Sequence, residues 1–420
     1  MNTVDPNSND SVLSKLRAVI FCFVAVSVGM PIAWISLAKF LLVVVGLLFL
    51  AANFFGQRTD IVLTKSLAVR MILVTVIAFF ASLFWSQTSL DIALTAFVKH
   101  SKLISIVLLI SLIRTKKEAR LGIKFFVAGQ SFLLLSSYLL AVGIKVPWTT
   151  DPVGANVVFS TYLDQSIMMA ATAAVFWHLR SDKIFYLPLS VLLSAAAVVN
   201  ALVLLDGRTG YVIAIAMLSL AAMWLMPKRY RLPVLLITPI IALAAVYFGS
   251  SNTQQRIAAI VHETKAFSQQ VETETSSGWR LNAWRRSIQA IQDGPWYGHG
   301  VGSWSVTVKQ FEGEKAVQVF GASNTSNPHQ EYLLWGVELG PLGSVLLATL
   351  LLAIAWDARH FNPPIQRALL SMLIAMSIAC LFNSSLYDDL IGDYFCVAIG
   401  LLLAMGFRSR DSLATTPESR

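Results

Sequence analysis

The stretch NPHQEYLLWGVELGPLGSVLLATLLLAIA, Asn327 to Ala355, opens on polar and titratable residues and runs on into apolar sequence. The apolar part is long enough to cross a bilayer, which takes roughly 20 residues as a helix. The same passage from polar to apolar recurs along the chain and decides the fold class. Hydrophobic residues are 56% of the 420 and charged residues only 13%, with a mean hydropathy of +0.67. A soluble domain carries about a quarter charged residues. The composition therefore describes an all-α polytopic integral membrane protein.

Working outward from that stretch, apolar runs predict about twelve transmembrane helices, over 17–30, 33–52, 67–85, 92–113, 120–142, 164–179, 184–205, 210–226, 232–249, 329–355, 367–384 and 392–407. Gly29-Met30-Pro31 is the expected tight turn between the first two, which form an uncleaved hairpin. The formal charge of +9 is distributed as short basic clusters between spans, so it reads as an orientation signal and not as a nucleic-acid surface. Lys15/Arg17, Arg58/Lys65, Arg114 to Arg120, Arg180/Lys183, Lys228 to Arg231, Arg359/Arg367 and Arg408/Arg410 fall on one side of a twelve-span arrangement. The opposite short loops hold only Lys145 and Arg208. The positive-inside rule then puts both termini in the cytoplasm and residues 250–328 outside, which in a bacterium is the periplasm.

This divides the chain into spans 1–9 (1–249), a large periplasmic loop between spans 9 and 10 (250–328), spans 10–12 (329–410) and a cytoplasmic tail (411–420). The loop holds seven Lys/Arg and six Asp/Glu. Two helices are expected in it, around 252–272 and 279–292, the second with an apolar face of Leu281, Trp284, Ile288 and Ile291 at helical spacing. Cys22, Cys380 and Cys396 lie in apolar runs without metal-ligand spacing.

Candidate chemistry gathers at the outer face. Arg208, in LLDGRTGYV, is a lone cation in an external turn: either a snorkelling arginine paired with Asp206 or an anion clamp, since a guanidinium matches phosphate oxygens bidentately. In SGWRLNAWRRS, Arg285 and Arg286 read as headgroup contacts, whereas Arg280 falls at a helix N-terminus, where backbone N–H groups also favour an anion. In the opening stretch Asn327 reads as the N-cap, Pro328 as N1 and Gln330 as N3, so His329 falls at N2. Burial and the helix dipole would keep that imidazole neutral and able to take a proton from a hydroxyl.

Further along, Gly336, Gly340 and Gly343 share a face that permits close helix packing. Glu338 would lie about 13 Å into the membrane by helical rise, as either a functional group or a structural partner of a neighbouring span. Lys99 and Lys102 share a face, lining a wet cavity or lying along the interface. Asp388, Asp389 and Asp393 cluster in the last external turn without a clear metal-ligand pattern. GHGVGSW, 298–304, lacks the setting of a nucleotide fingerprint; Gly300 would let backbone approach closely, and His299 reads as structural.

A lone external arginine, then WR…W…I…GPWYGHGVG, then PHQEYLLWGVELGPLG, together resemble the O-antigen ligase and polymerase superfamily, in detail over about 278–345. The family pattern usually has His-Asn where this chain has His329-Gln330. The resemblance implies a GT-C-like membrane glycosyltransferase of the bacterial inner membrane, metal-independent, inverting and without cofactor. It implies transfer of an O-antigen glycan from undecaprenyl diphosphate to a sugar hydroxyl of lipid A–core on the periplasmic face, as part of lipopolysaccharide biosynthesis. His329 would be the general base, and Arg208 and Arg280 would hold the diphosphate. Gln330, Glu338, Lys99, Lys102, Gly300 and Asp389 are secondary candidates for donor or acceptor contacts. The alternatives are an O-antigen polymerase or protein O-oligosaccharyltransferase of the same superfamily, or a lipid-linked glycan flippase. A transporter would place its polar groups near the midplane between internal repeats, and neither is visible in the sequence.

Overall fold

The computed structural model describes residues 6–55, 61–149, 156–180, 186–249, 276–312 and 327–414. Among these the regular structure is entirely helical. The first half runs α1 (Pro6–Ser27), α2 (Ile32–Phe55), α3 (Ile61–Lys65), α4 (Leu67–Ser82), α5 (Leu90–Ser101), α6 (Ile104–Leu112), α7 (Lys116–Ala141) and α8 (Tyr162–Leu179). Then come α9 (Leu187–Val199), α10 (Arg208–Leu225), α11 (Arg231–Gly249), α12 (Ser276–Asp293) and α13 (Trp304–Glu312). The last four are α14 (Glu331–Leu339), α15 (Pro341–Ala358), α16 (Pro363–Phe382) and α17 (Asp389–Ala414). The expected helix at 252–272 and the tail from 415 lie outside the described residues.

Eight of these helices are long and apolar enough to cross a membrane, and a ninth crossing is formed if the bent pair α5 and α6 counts as one. The twelve continuous spans of the sequence reading need correction at two places. Residues 92–113 are two helices bent by 41°, because the polar run Lys99-His100-Ser101-Lys102 turns there to reach buried partners. Residues 329–355 are likewise two helices. Gly340, at φ 73°, and Pro341 break the rod, since Pro341 lacks an N–H and starts a new helix at its first position.

The centre of the bundle is α17, whose apolar window is 89% buried and which packs on α6, α7 and α16. Around it, α2, α9 and α11 turn large aliphatic side chains outward (Leu48, Leu192 and Ile240 are all exposed), as helices against lipid do. Two contacts set the geometry of the rim that carries the N-termini of α8 and α10. The N-termini of α8 and α10 abut because Gly207 and Gly210 lack side chains; a Cβ on either would fall 1.9 or 2.4 Å from the Ser166 hydroxyl. The turn at 298–302 straps the end of α14: His299 N–H donates to Val337 O and Gly300 N–H to Glu338 O, both at 2.9 Å. These bonds satisfy carbonyls that a helix end leaves open.

Candidate functional site

The helix that carries the opening stretch starts later than its sequence suggests. Gln330 is the N-cap of α14: its side-chain oxygen accepts from Leu333 N–H at 2.6 Å. Asn327 and Pro328 are therefore not N-cap and N1, and His329 is not N2 but the residue before the cap. The later register follows from tertiary contacts. Gln330 N–H donates to the Ser384 hydroxyl at 3.2 Å, and Glu331 must sit inside the first turn to accept from Leu386 N–H, Tyr387 N–H and the Trp335 indole. Asn327 has a different task. Its side-chain oxygen accepts from His329 N–H at 2.9 Å, closing an Asx turn that holds His329 at φ 51°. A non-glycine residue in the left-handed region costs of order 1–3 kcal/mol, and such residues cluster at functional sites.

The His329 ring stands edge-on to Trp279, with centroids 5.1 Å apart. The Trp284 indole donates to Pro328 O at 3.1 Å, so α12 braces both the histidine and the residue before it. Nδ1 of His329 is buried without a hydrogen-bond partner among the described residues. The nitrogen left to meet a substrate is therefore Nε2. Burial first, and the Arg280 guanidinium second, bring the imidazole down to about 4; at neutral pH it carries no charge and keeps a lone pair free.

Arg280 lies one turn inside α12, which begins at Ser276 and not at 279; the open N–H groups of that helix are upstream of it. Burial pulls the guanidinium below its ordinary range, the Tyr162 phenol opposes this, and Arg208 adds to it. Arg280 is thus within electrostatic reach of both His329 and Arg208, and Tyr162, unremarked in the sequence, belongs to the same corner. Arg208 is exposed and opens α10 with Gly207 as its cap. The next residue, Thr209, accepts from the Asn383 side chain at 3.1 Å. Asn383 closes α16, and its neighbour Ser384 receives Gln330 N–H, so the Arg208 turn and the His329 segment are pinned to one helix end. The signal for this hub was the polar run NSSLYDD after an apolar span, of which only the carboxylates stood out in the sequence.

The other candidates occupy different positions. Glu338 is buried, 2.7 Å from His100 Nε2, and accepts from Gly302 N–H at 2.8 Å; its depth is that of a structural pair. Gly300, at φ 88°, is wedged where a Cβ would fall 2.3 Å from Ser86 Cα. His299 is held between Gln87 Oε1 and Ala290 O, each at 3.1 Å. Lys102 is buried and directs its ammonium to Asp388 O at 2.7 Å, with Asp389 3.9 Å away. Asp393 is bonded to Lys39 at 2.7 Å, so the ammonium groups of the chain itself answer these carboxylates. Lys99 lies 4.5 Å over the Tyr387 ring, the residue whose carbonyl Lys102 approaches at 3.4 Å. Burial, then the carboxylates of Asp164 and Glu331, push Asp388 up to about 7 against the pull of Lys102 and Lys99.

On α12 the buried stripe is Ala283, Ser287 and Ala290, while Ile288 is exposed; the expected apolar face is rotated. Small residues there admit Trp304, whose indole donates to the Ser287 hydroxyl at 2.8 Å.

A histidine held neutral, two guanidinium groups that repel one another, and phenol, hydroxyl and amide groups lie in one half-buried corner, an arrangement chemically able to hold an anion beside a proton acceptor. An anion between the arginines relieves their repulsion and forms charge-assisted hydrogen bonds. Residues 189–348 match the model of the O-antigen ligase family. The match supports the O-antigen ligase superfamily for this multi-pass membrane protein. It takes in Arg208, Arg280, His329, Gln330, Glu338 and Gly300, and leaves out Lys99, Lys102 and Asp389. No curated protein matches the chain.

Proposed function

We propose that this superfamily member is an O-antigen ligase. It moves a glycan from an undecaprenyl diphosphate to a sugar hydroxyl of lipid A–core at the periplasmic face of the inner membrane, with both termini cytoplasmic and twelve membrane crossings. The observation that carries the reading is the convergence of His329, Arg280 and Arg208 on one rim of the bundle. His329 Nε2 takes the proton of the acceptor hydroxyl as that oxygen attacks the anomeric carbon. The bond from that carbon to the diphosphate oxygen breaks, and the charge that develops on the leaving diphosphate meets Arg208 and Arg280. Preorganised donors of this kind contribute on the order of 3–4 kcal/mol each in other enzymes, and a positioned general base contributes roughly 10²–10⁴-fold.

The reading is tested in cells lacking the native gene product and carrying His329→Ala or Arg280→Ala. Each variant should reach the membrane at the level of the parent and leave lipopolysaccharide without its glycan cap. Normal capping by either one overturns the assignment.

A further inference from the structure

At the end of the bundle opposite this site, α8, α9 and α10 enclose an apolar groove of about 430 Å³. It is carved by small residues: Ala173 and Ala174 on α8, Ser194 and Ala195 on α9, and Ala221 and Ala222 on α10. Val191 and Leu225 on its rim are exposed, so the groove opens toward lipid. Trp177 forms its far end, and Arg180 lies over the Trp177 ring at 3.9 Å, its guanidinium also donating to Trp177 O. Arg367, near the start of α16, lies within electrostatic reach of Arg180. No carboxylate among the described residues acts on Arg180. Arg180 therefore stands at the Trp177 end of an apolar groove, with a second cation, Arg367, in electrostatic reach, beside a tryptophan of the kind that marks the level of lipid headgroups.

We propose that this groove is a binding site for an anionic glycerophospholipid of the leaflet opposite the candidate active site. Its acyl chains would lie along α8, α9 and α10, with its phosphate between Arg180 and Arg367. Position argues against the diphosphate of the glycan donor as the headgroup here. Tyr162 and Arg180 are the two ends of α8, about 27 Å apart by helical rise, nearly the thickness of a hydrocarbon core. The far end of a polyprenyl chain could reach the apolar part of the groove, but it brings no anion to the two arginines. Charge complementarity selects the phospholipid.

The test is native mass spectrometry of the purified, delipidated full-length protein, titrated in detergent with palmitoyl-oleoyl phosphatidylglycerol, the matching phosphatidylcholine, or undecaprenyl phosphate. Phosphatidylglycerol should be retained at least tenfold more tightly than phosphatidylcholine. Arg180→Gln and Ala195→Phe should each weaken it about tenfold; Ala195 is exposed on the groove wall, so its enlargement fills the groove without crowding the core. Equal retention of the two phospholipids overturns the proposal. So does undecaprenyl phosphate binding that Ala195→Phe abolishes and Arg180→Gln leaves unchanged, because that pattern assigns the groove to the carrier lipid.

Discussion

Replacing Arg280 with glutamine should raise the pKa of His329, and the size of the rise is bounded by the structure. A free imidazole titrates at 6.5 and His329 at about 4. Burial is the larger cause and Arg280 the smaller, so the arginine accounts for less than half of the difference. In Arg280→Gln the midpoint should therefore climb to no higher than about pH 5, with burial still holding it well below an exposed histidine. Diethyl pyrocarbonate acylates only the neutral imidazole, so the modification rate of the His329 peptide, followed by mass spectrometry between pH 3 and 7.5, reads the midpoint without reference to activity. Arg280→Lys keeps the charge and should stay near the parent. An unchanged or lowered midpoint in Arg280→Gln would separate the two residues and refute the shared corner. A parent midpoint near 6.5 would refute the burial of His329 itself.

Three further outcomes are expected. Arg208→Lys keeps the charge but loses the bidentate fork, so transfer should fall about tenfold or more in kcat/KM; full activity would leave Arg208 as a snorkelling side chain only. Asn327→Ala removes the Asx turn that holds His329 at positive φ. A net loss of about 1 kcal/mol should lower kcat roughly fivefold with the donor KM unchanged, and Asn327→Asp, which keeps the acceptor oxygen, should restore it. Asp388 is raised to about 7, so between its unfolded pKa near 3.8 and pH 7 the folded protein binds the extra proton, and stability falls as pH rises through that window. Asp388→Asn should accordingly raise the melting temperature more at pH 8 than at pH 5; an equal change at both would remove the charge from the explanation.

How far the sequence speaks for this fold depends on range. Hydropathy is a local property, and the membrane helices follow from it because lipid demands long apolar runs with internally bonded backbone. The breaks within those runs are tertiary. Nothing near Lys102 announces that its ammonium will reach carbonyls at Tyr387 and Asp388, yet that contact accompanies the bend between α5 and α6. The cap of α14 shows the same limit. Asn327-Pro328 and Gln330 both satisfy local capping rules, and Ser384 together with Glu331 selects between them from across the chain. The three residues proposed for the site stood out because each is chemically out of place: a lone cation in a short turn, an arginine beside tryptophans, a histidine just before an apolar run. Asn383, Ser384 and Tyr162 were not, since polar uncharged residues at a helix end look the same whether or not they hold a site together. Glu338 was conspicuous for its depth, and that depth is met by His100.

The most direct test is reconstitution of the purified protein in vesicles with undecaprenyl-diphosphate-linked glycan and rough lipopolysaccharide, with no nucleotide added. The expected result is one undecaprenyl diphosphate released per glycan transferred to lipid A–core, with His329→Ala lowering the rate by at least 100-fold. Glycans that lengthen on the carrier while the lipid A–core stays bare, or transfer that continues at the parent rate in His329→Ala, would contradict it.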